Sequence, residues 1–139
     1  MFKRIMAPVD LAHKATLKKA LTVTGDIARH YNTPVTYVAV SASAPGVLGH
    51  NPKEFAATLA SFAAEQAAQY GITADSKPLI SHDPTIDLDD TLLKAVDELG
   101  ADLVVMASHV PGLADYVWPS NGGTIAAHAH ASVFVVRPD

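Results

Sequence analysis

The amino-acid sequence predicts an α/β domain built on an open, doubly wound parallel sheet, and three observations carry that expectation. Apolar periodicity switches repeatedly between strand-like and helix-like along the chain. Two runs, 103–107 and 133–136, are continuously apolar with no polar alternation, as parallel strands covered on both faces require. Five strand-like and four helix-like segments alternate strictly, and right-handed crossovers then wind helices onto both faces of one sheet.

The segments follow in order. Ile5 to Val9 is a short apolar first strand, and Leu17, Ala20, Leu21, Thr24, Ile27, Ala28 and Tyr31 form one stripe of a helix ending near Asn32. Val35 to Val40 supplies the second strand. Ser41 to Asn51, with Pro45, Gly46 and Gly49, reads as a flexible connection, and the glycines and prolines of Ser43 to Lys53 suit a lid over a site. Phe55, Leu59, Phe62, Gln66 and Tyr70 recur at helical spacing before Gly71, a residue tolerant of positive φ at a helix end. Lys77 to Ser81 makes a brief third strand. Asp87, Asp89 and Asp90 place negative charge in the first turns of a third helix, about Ile86 to Leu99, with Gly100 as its stop. Leu103 to Ala107 is the fourth strand, a final helix runs roughly from Asn121 to His130, and Val133 to Val136 closes the sheet.

Composition bounds the function. The 139 residues hold one core, with 49% apolar and 17% charged residues, which excludes a disordered polyelectrolyte. No apolar run approaches the roughly 20 residues that span a bilayer, so no membrane partner is expected. A formal charge of −4 argues against the broad basic face that nucleic acid needs. The chain has no cysteine, which removes disulfides, thiolate metal sites and cysteine nucleophiles. The opening Met-Phe-Lys-Arg-Ile-Met-Ala-Pro is too short an apolar stretch for a secretory signal, and the expected location is cytoplasmic.

In such a sheet ligands bind outside the carboxyl ends of the strands. That points to Ala7-Pro8-Val9-Asp10, to Val40-Ser41-Ala42 and to the long stretch from Ala107 to Thr124. The last runs from Ser108-His109, through about ten residues, to Ser120-Asn121 opening a helix that leads into Ser132-Val133-Phe134-Val135-Val136-Arg137-Pro138. With Lys3-Arg4-Ile5-Met6-Ala7-Pro8-Val9-Asp10 at the start, this pattern resembles the universal stress proteins from end to end, as one domain over residues 1–139.

The resemblance implies a Rossmann-like sheet of the adenine nucleotide alpha hydrolase type, strand order 3-2-1-4-5, and a homodimer paired through Val133 to Val136. It implies a stress-response module that binds ATP or AMP without fast catalysis, with nucleotide contacts at Ala7, Pro8, Val9, Asp10, Val40, Met106, Ala107, His109, Val110, Ser120, Asn121 and Gly122. No catalytic residue is assigned, and Asp10 is the position for a magnesium ion carried in by the nucleotide. Family members hold phosphates with Gly-x-x-Gly, nine residues, then Gly-Ser/Thr, because glycines let the main chain approach closely and a helix start favours anions. Here those glycine positions are Ala107, Val110 and Pro119, and Ser120 keeps the hydroxyl. Pro119 offers no N–H and Val110 adds bulk, so a mononucleotide or simple phosphate fits better than a triphosphate.

Local readings stand beside these. Asp10 and Ser120 each suit a plain helix N-cap, Val40 an ordinary strand position, and His109 a surface loop. His128 and His130 suit the positive charge favoured at a helix C-terminus better than a metal pair, and Asp83-Pro84, after His82, suits a helix start. Tyr116 and Trp118 either pack the long loop down or cover a base. Two other readings remain: a dimerising scaffold that has lost nucleotide binding, and a slow ATP hydrolase. The candidate loops carry no Lys or Arg to stabilise a phosphoryl transition state.

Overall fold

The computed structural model describes residues 1–42, 52–81, 84–108 and 121–137. Its elements are β1 (Ile5–Pro8), a 3-10 segment (Leu11–Leu17), α1 (Lys18–Tyr31), β2 (Val35–Ala42), α2 (Pro52–Tyr70), β3 (Ala74–Ser81), α3 (Pro84–Leu99), β4 (Leu103–Ala107), α4 (Asn121–His128) and β5 (Ser132–Val136). All pairings are parallel and the order is β3-β2-β1-β4-β5, the expected arrangement.

Strand alternation sorts the core into two layers. Ile5, Ala7 and Val9 point to one face, where Leu17, Ala20 and Ala28 of the first crossover and Phe55, Leu59 and Phe62 of α2 cover them. Met6, Val104 and Met106 point to the other, beneath Leu88, Leu92 and Val96 of α3 and Ile125 of α4. The buried Thr24 in α1 satisfies its hydroxyl on the Ala20 carbonyl at 2.7 Å. Gly71 and Gly100 close α2 and α3 at φ +64°, the left-handed conformation expected of helix stops.

Several boundaries differ from the sequence reading. β2 runs on through Ser41 and Ala42, because its ladder with β3 extends to Ala42↔Ser81. For the same reason β3 begins at Ala74, three residues before the expected start at Lys77. α3 begins at Pro84, whose missing N–H costs nothing in a first helical turn. α4 stops at His128, so the exposed His130 lies beyond the helix rather than in its last turn. Residues 43–51 of the expected lid and the dipeptide His82-Asp83 lie outside the described residues, while Pro52 and Lys53, the end of that expected lid, open α2. Among the described residues, no helix is long and apolar enough to cross a membrane.

The two central strands are tied at their amino ends. Asp102, just before β4, accepts from the Lys3 amide at 2.9 and 3.0 Å and from the Arg4 amide at 3.1 Å. The Asp102 amide donates in turn to the Arg4 carbonyl at 3.1 Å. Desolvation works to raise the Asp102 carboxyl, but donation from Arg4 and Lys3 outweighs it and holds the group below its ordinary value. A lowered folded-state value means that the stability it contributes is present above the ordinary carboxylate range and is lost as pH falls through the lowered one. Asp102→Asn is therefore expected to lower stability at neutral pH, because the amide carries no charge and offers one acceptor oxygen where the carboxylate offers two to the Lys3 and Arg4 amides. In urea unfolding followed across pH, the gap to the parent chain closes on acidification.

Candidate site at the crevice between the central strands

Strand order reverses between β1, which continues to β2, and β4, which continues to β5. All four β1 residues pair with β2, whereas pairing with β4 covers only Ile5↔Leu103 and Met6↔Val104. Amide direction explains the difference. Ile5 donates to the Pro34 carbonyl at 3.0 Å and Val9 to the Val38 carbonyl at 2.8 Å, both towards β2. Backbone alternation then turns Met6 and Pro8 towards β4, and Pro8 has no N–H to give. The ladder lapses there. Across the gap, the Ser108 amide turns the other way and donates to the Val136 carbonyl at 2.8 Å.

Ala7, Pro8 and Val9 are buried at this end of β1, and Asp10 follows at 8% exposure. One Asp10 oxygen accepts from the Ala12 amide at 3.1 Å, the N-cap geometry for the 3-10 segment. The other lies 2.9 Å from Nδ1 of His13. The capping reading of Asp10 is thus observed. His13 was not singled out from the sequence, although a histidine three residues after a cap is placed to reach back to it.

Val40 is half-buried and packs with the α3–α4 layer, two residues before β2 ends. Met106 is buried and Ala107 is the half-buried last residue of β4. His109, Val110, Tyr116, Trp118, Pro119 and Ser120 lie outside the described residues. Asn121 and Gly122 open α4, followed by Gly123, where an added Cβ would meet nothing within 4 Å. The crossover from β4 to β5 runs α4 antiparallel to the strands, so its first turn stands at the carboxyl end of the sheet. The amides of that turn lack intrahelical partners and carry the positive end of the helix dipole.

Asp89 of α3 accepts a hydrogen bond from the Thr124 side chain at the end of that first turn. Burial pushes its carboxyl up, the Thr124 bond pulls it down, and the charge of Asp90 pushes it up again, with a net rise. On the opposite face of the sheet, a small solvent-open cleft lies beside Thr16, Lys19, Ser108 and Arg137. The Ser108 hydroxyl there is buried without a hydrogen-bond partner. Among the described residues, no three His, Asp or Glu side chains gather as metal ligands would.

A five-stranded parallel sheet with its crevice at β1 and β4 and a glycine-rich helix start at its carboxyl end defines an α/β domain of the doubly wound class. A model of the universal stress protein family matches residues 1–137, and the chain belongs to that family. Universal stress protein G of Shigella flexneri is 26% identical over 148 residues, covering 99% of this chain and all of that one. A universal stress protein solved in complex with cAMP superposes with a TM-score of 0.71 at 18% identity, over 99% of this chain and 98% of its own. A family protein from Arabidopsis thaliana with AMP bound gives 0.68 at 15% identity, over 99% and 92% of the two chains.

The geometry at Asp10 separates capping from charge. Asp10→Ala is expected to lower stability by about 1 kcal/mol. Asp10→Asn recovers most of that loss in the same urea titration, because an amide oxygen caps the Ala12 amide as well as a carboxylate does.

Proposed function

We propose that this protein is an adenine-nucleotide-binding module of the stress response, acting as a homodimer and without fast turnover. The observation that carries this reading is the open first turn of α4, Asn121-Gly122-Gly123, above the gap that Pro8 leaves between β1 and β4. Backbone amides suit a phosphate there, since a helix start stabilises an anion without any basic side chain. The cAMP and AMP complexes of similarly folded family members support an adenylate as the ligand. In this reading Ala7, Pro8, Val9 and Asp10 form one wall of the crevice, and the Val40 main chain faces the base. Met106 and Ala107 form the floor, while His109, Val110, Ser120, Asn121 and Gly122 close round the phosphate. Both Asp10 oxygens are already engaged, by Ala12 and by His13, so the reading requires no magnesium ion at that carboxylate.

A regulatory role follows from what the crevice lacks. The stretches 7–10, 40–42 and 107–124 contain no Lys or Arg to stabilise a transferring phosphoryl group. The dimer is supported by β5, an edge strand on which Phe134 is 47% and Val135 37% exposed. Occupancy of the crevice would then alter the surface that the pair presents to other proteins, and a cytoplasmic location suits such a role.

Two measurements test the proposal. Isothermal titration with AMP, cAMP and ATP is expected to give saturable heat with at least one of them. Gly123→Asp should weaken that binding at least about twofold while leaving α4 no less stable, because a carboxylate in the first turn satisfies the dipole and repels phosphate. No heat with any adenylate overturns the nucleotide reading and leaves a pairing scaffold. In light scattering at micromolar concentration the parent chain should be dimeric and Phe134→Lys monomeric; a monomeric parent removes the dimer from the proposal.

A further inference from the structure

We infer that Asp89 sets the charge preference of the α4 site, excluding highly charged polyphosphates in favour of nucleoside monophosphates or cyclic phosphates. This inference rests on the nucleotide reading above and identifies its ligand class. Its physical basis is the contact between α3 and α4. Leu88 and Leu92 of α3 pack in one cluster with Ile125 of α4, which fixes Asp89 against Thr124, its hydrogen-bond donor. A full negative charge is thereby held beside the same turn whose amides would receive a phosphate.

The helix dipole offers roughly half a unit of positive charge at that end. Asp89 already draws on it. Asp90 is an exposed neighbour that adds negative charge. Residues 84–93 and 121–127 contain no Lys or Arg, so neither helix start supplies a cation to offset them. Burial is the larger cause of the rise in the Asp89 carboxyl, and the charge of Asp90 adds to it. A ligand with one phosphate places its charge on the amides and little beyond them. Each further phosphate adds charge in a field that is already negative, and with Asp89 half-buried and Asp90 exposed that repulsion is open to screening by salt. Discrimination of this kind comes from an unfavourable contact with the wrong ligand rather than an added contact with the right one.

The experiment compares AMP, ATP and adenosine binding to the parent chain, Asp89→Asn and Asp89→Glu by titration calorimetry. Asparagine keeps an acceptor for Thr124 and removes the charge; glutamate restores the charge one methylene further out. The expected result is an ATP-to-AMP affinity ratio raised roughly two- to fivefold in Asp89→Asn. That gain should shrink as salt is added, and the ratio should return towards the parent value in Asp89→Glu. Adenosine, without phosphate, gives the baseline for each protein. A structural role alone would move all three ligands together and leave the ratio unchanged. Adenylate binding with an unaltered ratio in Asp89→Asn overturns this inference while the nucleotide reading stands, whereas no adenylate binding to any of the proteins overturns both.

Discussion

The structure depends on how β1 and β4 are joined: tied at one end and parted at the other. At the amino ends the Asp102 carboxylate collects the Lys3 and Arg4 amides, and its own amide returns a bond to Arg4. Four residues on, Pro8 interrupts the ladder on the β4 side while β1 remains paired with β2. A parallel ladder is slanted and evenly spaced, so a missing donor in mid-sheet would ordinarily weaken it. Placed at the last residue of a central strand, it opens the sheet where the strand order reverses, the position at which doubly wound folds hold ligands.

The electrostatics of that opening follow from the same economy of side chains. Its three loops contain no Lys or Arg, so in the proposed reading attraction for an anion would fall mainly to backbone amides and one helix dipole. Such attraction is modest and local. It is correspondingly easy to tune with a single carboxylate, and Asp89 stands within hydrogen-bonding reach of the turn concerned. At Asp10 the opposite holds: both oxygens are engaged by the protein itself, and the carboxylate fixes the chain as it leaves β1.

Much of this was legible in the sequence because local and tertiary signals agreed. The apolar stripe of α1, the glycine stops of α2 and α3, and the unbroken apolar runs of β4 and β5 all correspond to observed elements. Where the reading erred, a long-range partner decided. Ala74, Asp75 and Ser76 carry little strand propensity, yet they pair with Val35, Thr36 and Tyr37 of a buried strand. Ser41 and Ala42 are drawn into β2 by the other end of the same ladder. His13 escaped notice because a lone histidine after a cap has no distinguishing period. The Asp89–Thr124 contact was invisible for a different reason: it joins two helices through packing that no single-chain pattern encodes. The sequence places the acidic cluster in the first turn of α3, but the helix begins at Pro84, which puts Asp89 and Asp90 in its second turn, and the contact of Asp89 with the neighbouring helix needed three dimensions.

The two sheet edges show how the remaining surface divides. β3 presents Asp75, Ser76, Lys77 and Pro78, and Lys77 is held by Glu98 at 3.3 Å. Charge and a proline are the usual devices that keep an edge from pairing with another chain. Ile80 is exposed at the end of that strand, but it stands alone beyond those guards. β5 has no such protection between Ser132 and Arg137, where the sequence is Val-Phe-Val-Val and Phe134 and Val135 face outward. One edge is thus guarded by charge and a proline, and the other is left apolar. Pairing about a two-fold axis would bury both copies of β5 in a self-complementary contact. Because Val136 accepts from the Ser108 amide, the edge is one hydrogen bond from the stretch that leaves β4 towards the crevice. In the proposed reading, ligand and partner surfaces would share the β4–β5 strand pair, a short physical path from one to the other.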